Sequence, residues 1–189
     1  MVEKIIVEFL VFFWKCAYLM LPAGLSNMVP VFFRRINFLN YRVDFGKSWR
    51  GRPLFGTNKT LRGLFFGTLS SILLVGLQTL LYLNYGYFRS ISFIDYSQHS
   101  FILIGFLLGF GALFGDLVES FFKRRFRIKP GKRWFPWDQL DFLIGSLIFL
   151  SFTYIPSWQA LVLIIIAGPI LHVTFKHLGY YLRINKEKW

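Results

Sequence analysis

The chain has 189 residues, of which 55% are hydrophobic and 21% aromatic, and its mean hydropathy is +0.51. Only 16% are charged, yet 22 Lys and Arg stand against 9 Asp and Glu, giving a formal net charge of +13. This balance excludes intrinsic disorder and argues against a soluble nucleic-acid binder, because both are far more polar; it indicates a membrane protein with basic loops. The single cysteine, Cys16, excludes an internal disulfide and a thiolate metal site.

Five apolar segments predict about five transmembrane helices. The first runs from Ile5 to Leu21, and after Pro22 a weaker stretch through Phe33 is expected to be broken or re-entrant. The other four are Leu64 to Leu83, Phe101 to Val118, Leu140 to Ile155 and Trp158 to Phe175. Segments of 16 to 20 residues cover about 24 to 30 Å, roughly one hydrocarbon thickness. We therefore expect an all-α, polytopic membrane helix bundle that forms a single domain over residues 1–189.

The basic residues predict how the bundle is oriented. Arg34 to Arg62 hold eight, Lys123 to Arg133 hold seven and the tail from Lys176 holds four, so 19 of 22 lie on one side. The positive-inside rule then places the N-terminus outside and both long loops and the C-terminus in the cytoplasm. Because the first segment lacks the basic start and short apolar run of a signal peptide, we expect the mature protein to keep it.

Glycines in the third segment predict close helix contacts. Gly105 and Gly109, and again Gly111 and Gly115, form two pairs of small residues four apart. Such pairs let neighbouring helix backbones approach closely. We expect a packing role for them, not contact with a ligand.

Four of the nine acidic residues lie within one stretch of 26 residues. Asp116 and Glu119 are three apart with Lys123 four further on, so the three share a face if the third helix continues. Asp138 and Asp141 are also three apart and open the fourth segment. Two helix ends would bring these carboxylates together among cations, where they can hold a divalent metal and a phosphate. Oxygen ligands without cysteine favour Mg²⁺ over zinc.

Structural roles can also explain these carboxylates. Asp138 and Asp141 at a helix N-terminus interact favourably with the helix dipole, by about 0.3 to 1 kcal/mol each. Asp116 and Glu119 can simply pair with neighbouring Arg or Lys. The cost of ionisable groups at a membrane boundary favours function for the group as a whole. None of the three histidines is expected to bind metal, because two of them do not share a helical face and the third lies in an outer loop.

The first basic loop offers a second candidate site. Small polar and basic residues stand at the start of the second segment, preceded by Gly51 and Gly56; they are Asn58, Lys59, Thr60 and Arg62. A helix N-terminus with such residues can bind phosphate through backbone N–H groups and side chains. The loop is not a Walker motif, since it lacks GK followed by Ser or Thr. The alternative is that these residues only snorkel to the membrane surface.

The stretch from Gly115 to Phe142 resembles the signature of CTP-dependent membrane cytidylyltransferases. The matching residues are Ser120, Lys123, Arg124, Lys129, Pro136, Asp138 and Asp141. Over nearly its full length the chain resembles the CDP-archaeol synthase family, an archaeal-type branch also found in some bacteria. The residues that carry this likeness are Leu21-Pro22-Ala23, Asn27, Pro30-Val31, the loop from Asp44 to Gly63, Gly168-Pro169, His172 and Tyr180.

Departures from the bacterial phosphatidate cytidylyltransferases favour that archaeal-type branch. Lys129 is followed by Pro130, Trp137 precedes Asp138, and Gln139 replaces the bacterial arginine. These departures bear on which lipid the protein uses as substrate more than on which reaction it catalyses.

The resemblance implies transfer of CMP from CTP to a lipid phosphate, most simply 2,3-bis-O-geranylgeranyl-glycerol 1-phosphate, with release of pyrophosphate. It implies Mg²⁺ held by Asp116, Asp138 and Asp141, with Glu119 in an outer shell. Lys123, as a catalytic cation, together with Arg124 and Lys129 would bind the triphosphate, and Ser120 would contact substrate. Nucleotide or lipid phosphate would lie against the loop residues Asn58, Lys59, Thr60 and Arg62. The active site of this multi-pass cell-membrane protein would face the cytoplasm.

Three other functions remain open from the sequence. The chain can be a phosphatidate cytidylyltransferase acting on a diacyl lipid, a CTP-dependent polyprenol kinase, or a membrane scaffold whose basic loops bind anionic lipid. The sequence indicates no nucleic-acid partner and no particular oligomeric state.

Overall fold

The computed structural model describes residues 1–129 and 132–181, which are mostly helical. In this part the helices are α1 (Val2–Phe32), α2 (Leu61–Asn84), α3 (Gly86–Ser90), α4 (Phe101–Arg125), α5 (Trp137–Leu150) and α6 (Trp158–Tyr181). A 3₁₀ turn (Phe33–Arg35) follows α1, and two short antiparallel strands, β1 (Ser48–Trp49) and β2 (Arg52–Pro53), lie in the first basic loop. Several residues named from the sequence lie outside the described part: Pro130, the tail cations Arg183, Lys186 and Lys188, and the side chains of His172, Lys176 and Tyr180.

Three helices, α1, α2 and α4, are long and apolar enough to cross a membrane. They have 31, 24 and 25 residues, so each is at least about 36 Å long, more than the hydrocarbon thickness of about 30 Å. A shorter apolar helical stretch, Trp158–Leu171, opens α6. Together these apolar helices make the chain a membrane protein with the expected all-α fold.

The predicted end of the fourth segment, at Ile155, is wrong. Helix α5 ends at Leu150 after 14 residues, a length of about 21 Å. Beyond it the hydroxyls of Ser151 and Thr153 donate to the carbonyls of Ile148 and Leu150. Carbonyls at the end of the helix thus accept side-chain hydrogen bonds, and the helix does not continue. The number of membrane crossings therefore stays a prediction.

Helix α1 is continuous through Pro22 and Pro30, so the predicted break after Leu21 is also wrong. A proline has no N–H for the carbonyl four residues earlier, and the freed carbonyls need another partner. Helix α2 lies against both. The side-chain amide of Gln78 donates to the Tyr18 carbonyl at 2.8 Å, and Gly67 lies so close to the Ser26 carbonyl that a Cβ there would stand 2.5 Å from the oxygen.

Helix α4 is the central element of the bundle, with α5 and α2 as its most extensive neighbours and α1 also packed against it. Its side chains Ile104, Leu108 and Ala112 are completely buried. They belong to a core that includes Ala23 of α1 and Leu150 of α5. This packing fixes the cytidylyltransferase-like stretch at the end of α4 relative to the start of α5.

Candidate functional site

The two glycine pairs of α4 face different neighbours. A Cβ at Gly105 or Gly109 would meet α2, 2.5 Å from Ile72 or 2.4 Å from Ser71. A Cβ at Gly115 would lie 2.1 Å from the Asp141 carbonyl oxygen, so that contact with α5 requires glycine. The expected packing role of the glycines is confirmed, and the second pair brings the backbone of Asp141 against the residue before Asp116.

Three carboxylates meet where α4 and α5 touch. Oxygens of Asp116, Glu119 and Asp141 lie within 4.8 Å of one another. Helix α4 continues past Val118 to Arg125, which is why the spacing of Asp116 and Glu119 places both on this side. Glu119 is buried with 7% of its surface exposed, and the others are partly buried. An all-oxygen group of this size suits a hard divalent cation.

Asp138 lies beside this group but has other partners. Lys123 contacts Glu119 at 2.8 Å and also pairs with Asp138. The second carboxylate oxygen of Asp138 accepts the Trp134 backbone N–H at 2.9 Å. The three-carboxylate group therefore includes Glu119, which the resemblance placed in an outer shell, and does not include Asp138.

Lys59 joins the first basic loop to the carboxylates. Its ammonium pairs with Asp116, and its backbone carbonyl accepts the Val43 N–H at 2.9 Å, so the loop itself holds the residue in place. Its neighbour Thr60 caps α2, since the hydroxyl oxygen accepts the Gly63 N–H at 3.2 Å. Lys59 is thus the predicted loop residue in direct contact with the predicted metal group.

Arg62 and Asn58 occupy different surroundings. Arg62 is buried and donates to the Ile36 carbonyl at 2.5 Å, which ties the start of α2 to the chain leaving α1. Asn58 is exposed and lines a pocket beside Asp116. The structure therefore brings Asn58 toward the site and directs the Arg62 guanidinium at the backbone.

The lining of that pocket combines polar and apolar residues, which we call its polar side and its apolar side. Its polar residues are Asn27, Asn58, Lys59, Thr60 and Asp116. The rest of the lining comes from α1, α2, α4 and, through Val43, the first basic loop. Sequence reasoning did not name Asn27 as a site residue, although a lone amide in an otherwise apolar helix was a usable signal. Asp116 belongs both to the pocket and to the carboxylate group.

Asp44 organises the loop that carries Lys59. Its carboxylate accepts backbone N–H groups of Gly46 at 3.0 Å, Phe55 at 3.3 Å and Gly56 at 3.4 Å. Burial alone would raise the pKa of Asp44, but these three donors and the charge of Arg42 outweigh it and hold the pKa below its ordinary value. The loop is therefore folded around an ionised carboxylate.

Arg125 fastens the β1–β2 hairpin to the end of α4. Its guanidinium donates to the carbonyls of Trp49 at 2.7 Å and Pro53 at 2.5 Å, and it lies 4.8 Å from the ring centre of Phe121. In return Arg52 donates to the Arg125 carbonyl at 2.5 Å. Arg125, one of the seven basic residues between Lys123 and Arg133, therefore has a structural role.

The remaining predicted cations and Ser120 differ in exposure. Arg124 is buried, and its Nε has no hydrogen-bond partner among the described residues, which leaves a donor available to an anion. Ser120 is buried on α4, and Lys129 is exposed beyond the helix end.

Comparisons with known proteins give relatives of one family along most of the chain. A CDP-archaeol synthase from Methanospirillum hungatei is 34% identical over 178 residues, covering 90% of this chain and 100% of that protein. One from Methanococcus maripaludis is 33% identical and covers 96% of this chain and 99% of its own length. One from Thermofilum pendens is 34% identical over 89% of this chain and 78% of its own length.

A solved structure and a family model give the same result. The chain is similar, with a TM-score of 0.66 and 29% identity, to a structure described as "an intramembrane enzyme for archaeal membrane lipids biosynthesis"; the match covers 84% of this chain and 90% of the other. The CarS-like CDP-archaeol synthase model matches residues 7–189. The chain belongs to the CDP-archaeol synthase family.

Proposed function

We propose that this protein transfers CMP from CTP to an archaeal ether-lipid phosphate and releases pyrophosphate. One observation carries the proposal: carboxylates from α4 and α5 meet within 4.8 Å beside a two-sided pocket at the end of an apolar bundle. The relatives named as CDP-archaeol synthases support it. The arrangement suits two polyanionic substrates, one of which stays anchored in lipid.

We assign Mg²⁺ as the metal and Asp116, Glu119 and Asp141 as its holders. The donors are carboxylate oxygens, which Mg²⁺ prefers, and neither histidine nor cysteine belongs to the group. When bound, the ion would neutralise phosphate charge and help align the two substrates. Asp138 serves this group indirectly by sharing Lys123 with Glu119.

The chain's own groups act by binding and aligning. The lipid phosphate is already ionised at neutral pH, so no side chain has to remove a proton from the nucleophile. Its oxygen attacks the α-phosphorus of CTP, a new P–O bond forms, and the bond to the β-phosphate breaks with its electron pair leaving on pyrophosphate. Lys59, Lys123 and Arg124 would hold phosphate oxygens during this exchange, and cations placed in advance stabilise such charge with little reorganisation.

We place the site on the cytoplasmic side of a multi-pass protein. The chain has eight cations between Arg34 and Arg62, in the segment that carries Lys59, and seven between Lys123 and Arg133, at the end of α4 and before α5. The positive-inside rule assigns such loops to the cytoplasm, where CTP is available.

Product analysis tests the proposed function. Purified protein in detergent is given CTP labelled in the α-phosphate, Mg²⁺, and in parallel the geranylgeranyl ether lipid phosphate, a diacyl lipid phosphate and a polyprenol. We expect the label in a CDP-lipid made from the ether substrate, with one pyrophosphate per product. Lipid phosphate with CDP would indicate a kinase, preference for the diacyl substrate a phosphatidate cytidylyltransferase, and no turnover at all a scaffold; each outcome contradicts the proposal.

A further inference from the structure

The pocket beside Asp116 has a polar side and an apolar side. At the polar side stand Asn58, Lys59, Thr60 and Asp116, all at the junction of the first basic loop with α2 and α4. The apolar side is formed by Pro30, Val31, Leu64, Leu113 and Leu117. A nucleoside triphosphate offers only the face of its base to apolar side chains, whereas a lipid phosphate combines an anionic head with long hydrocarbon chains in one molecule.

Asn27, on the membrane-spanning helix α1, lines the same pocket. Its side chain is half-buried and lines the pocket, and it makes no hydrogen bond within the described part of the chain. Burying an amide without a partner in apolar surroundings is costly, and polar residues kept inside membrane helices usually face a cavity or substrate path. The amide can donate to and accept from a ligand.

The charge at the polar end fits a phosphate. Lys59 supplies an ammonium, and Thr60 caps the N-terminus of α2, where backbone N–H groups and the helix dipole favour an anion. Asp116 connects this end to the carboxylate group, so an acceptor phosphate here would lie next to the metal holders. An anion without hydrocarbon chains would also fit the polar side, but it would leave the apolar side of the pocket without a ligand group to contact.

We propose that this pocket is the lipid-phosphate subsite and that Asn27 is a positioning residue that binds the glycerol or phosphate oxygens of the lipid. The proposal rests on the proposed function for the identity of the acceptor, and it assigns the CTP subsite to the side of Arg124 and Lys123. It predicts that Asn27 and the apolar side of the pocket control use of the lipid but not of CTP.

Asn27→Leu keeps similar size and removes the polar atoms. We expect the KM for the lipid phosphate to rise about tenfold, the loss of one hydrogen bond, with the KM for CTP unchanged. Met28→Leu is the matched control, because Met28 is on the next position of α1 and is 61% exposed. Val31→Trp is a second variant; Val31 is 66% exposed, so the fold should tolerate the larger side chain while it fills the apolar side of the pocket and raises the same KM.

A binding measurement separates this inference from the proposed function. Without CTP, the ether-lipid phosphate should raise the unfolding temperature of the wild type and of Met28→Leu, but not of Asn27→Leu at the same concentration. Glycerol 1-phosphate and inorganic phosphate should give no comparable rise, because they lack the tails. The inference is overturned if Asn27→Leu binds lipid phosphate normally, or if its CTP KM changes instead. Normal lipid binding by the wild type without CDP-lipid formation would contradict the proposed function alone.

Discussion

Asp116 is the residue at which the two parts of the site meet. It contributes an oxygen to the carboxylate group, pairs with Lys59 from the first basic loop, and lines the two-sided pocket. A single side chain thus belongs to the proposed metal group, contacts the loop and lines the pocket proposed for the acceptor. Through Asp116, the first basic loop and the stretch from Gly115 to Phe142 belong to one site, although Lys59 and Asp116 are more than 50 residues apart in the sequence.

The lowered pKa of Asp44 makes the stability of the first basic loop depend on pH. Because its pKa in the folded loop lies below the unfolded value of about 3.9, its stabilisation is complete above that pH and is lost as pH falls through the lower folded pKa. At pH 7, Asp44→Asn should therefore exchange the amide hydrogens of Gly46, Phe55 and Gly56 faster than the wild type. The difference should shrink as the pH falls below about 4 and vanish once Asp44 is protonated in the folded loop. Hydrogen exchange corrected for intrinsic rates measures this.

Asp95→Asn is the control for that experiment. Asp95 lies in the loop between α3 and α4 and accepts hydrogen bonds from Ser97, so the same substitution is made away from the basic loop. It should leave exchange at residues 44–56 unchanged. Equal protection of the wild type and Asp44→Asn at pH 7 would show that Asp44 does not organise the loop.

The spacing of residues along the sequence predicted some residues of the site. The others depend on contacts with distant parts of the chain. Asp116 and Glu119 could be found because residues three apart share a helix face. That Asp138 would accept the Trp134 N–H and pair with Lys123 could not, since this depends on how the chain enters α5. Asn27 was visible as a polar residue in an apolar run, but only the packing of α1 on α2 and α4 gives it a pocket.

At the scale of elements, the approach of α4 to α5 sets the spacing of the carboxylates. Gly111, Gly115 and Gly145 form the contact, and a Cβ at Gly145 would stand 2.2 Å from the Gly111 carbonyl oxygen. The sequence predicted close packing from the α4 glycines but not which helix each pair would meet. That choice depends on the whole bundle.

Gly115→Ala should separate these helices. Its Cβ would lie 2.1 Å from the Asp141 carbonyl oxygen, which is backbone and cannot move aside cheaply. We expect a loss of about 1 to 3 kcal/mol in stability, seen as a lower unfolding temperature in detergent, together with a lower kcat.

Gly24→Ala is the matched control on α1. A Cβ at Gly24 meets nothing within 4 Å, so alanine should be neutral or stabilise the helix by about 0.5 to 1 kcal/mol. Wild-type stability and kcat in Gly115→Ala would show that the α4–α5 contact does not fix the site.

Helix α1 is continuous through two prolines, which the sequence did not predict. Pro22 and Pro30 are local signals for a break, but the helix continues through both. Gln78 of α2 donates to the Tyr18 carbonyl, and Gly67 of α2 packs closely against the Ser26 carbonyl. Gln78 is 60 residues from Tyr18, so no local pattern could have shown this hydrogen bond. The same continuity carries Asn27 to the pocket.

At the scale of the molecule, apolar helices hold a polar site at one end of the bundle. Many large hydrophobic side chains of α1, α2 and α6 are exposed, as expected where lipid replaces water as solvent. The charged groups that contact one another around Asp116 come from α4, α5 and the first basic loop. In the proposed reaction, this arrangement would let the lipid phosphate remain in the membrane while CTP arrives from water.

The most direct test of the central claim is the rate of CDP-lipid formation in Asp141→Asn. With CTP, Mg²⁺ and the ether-lipid phosphate, we expect this variant to fold as the wild type does, by circular dichroism, and to lose about 10²-fold or more in rate, because one charged ligand of the carboxylate group is neutralised. Asp95→Asn, the same substitution outside the site, should keep the wild-type rate. An Asp141→Asn enzyme as fast as the wild type would contradict the claim that these carboxylates hold the ion that joins the two substrates.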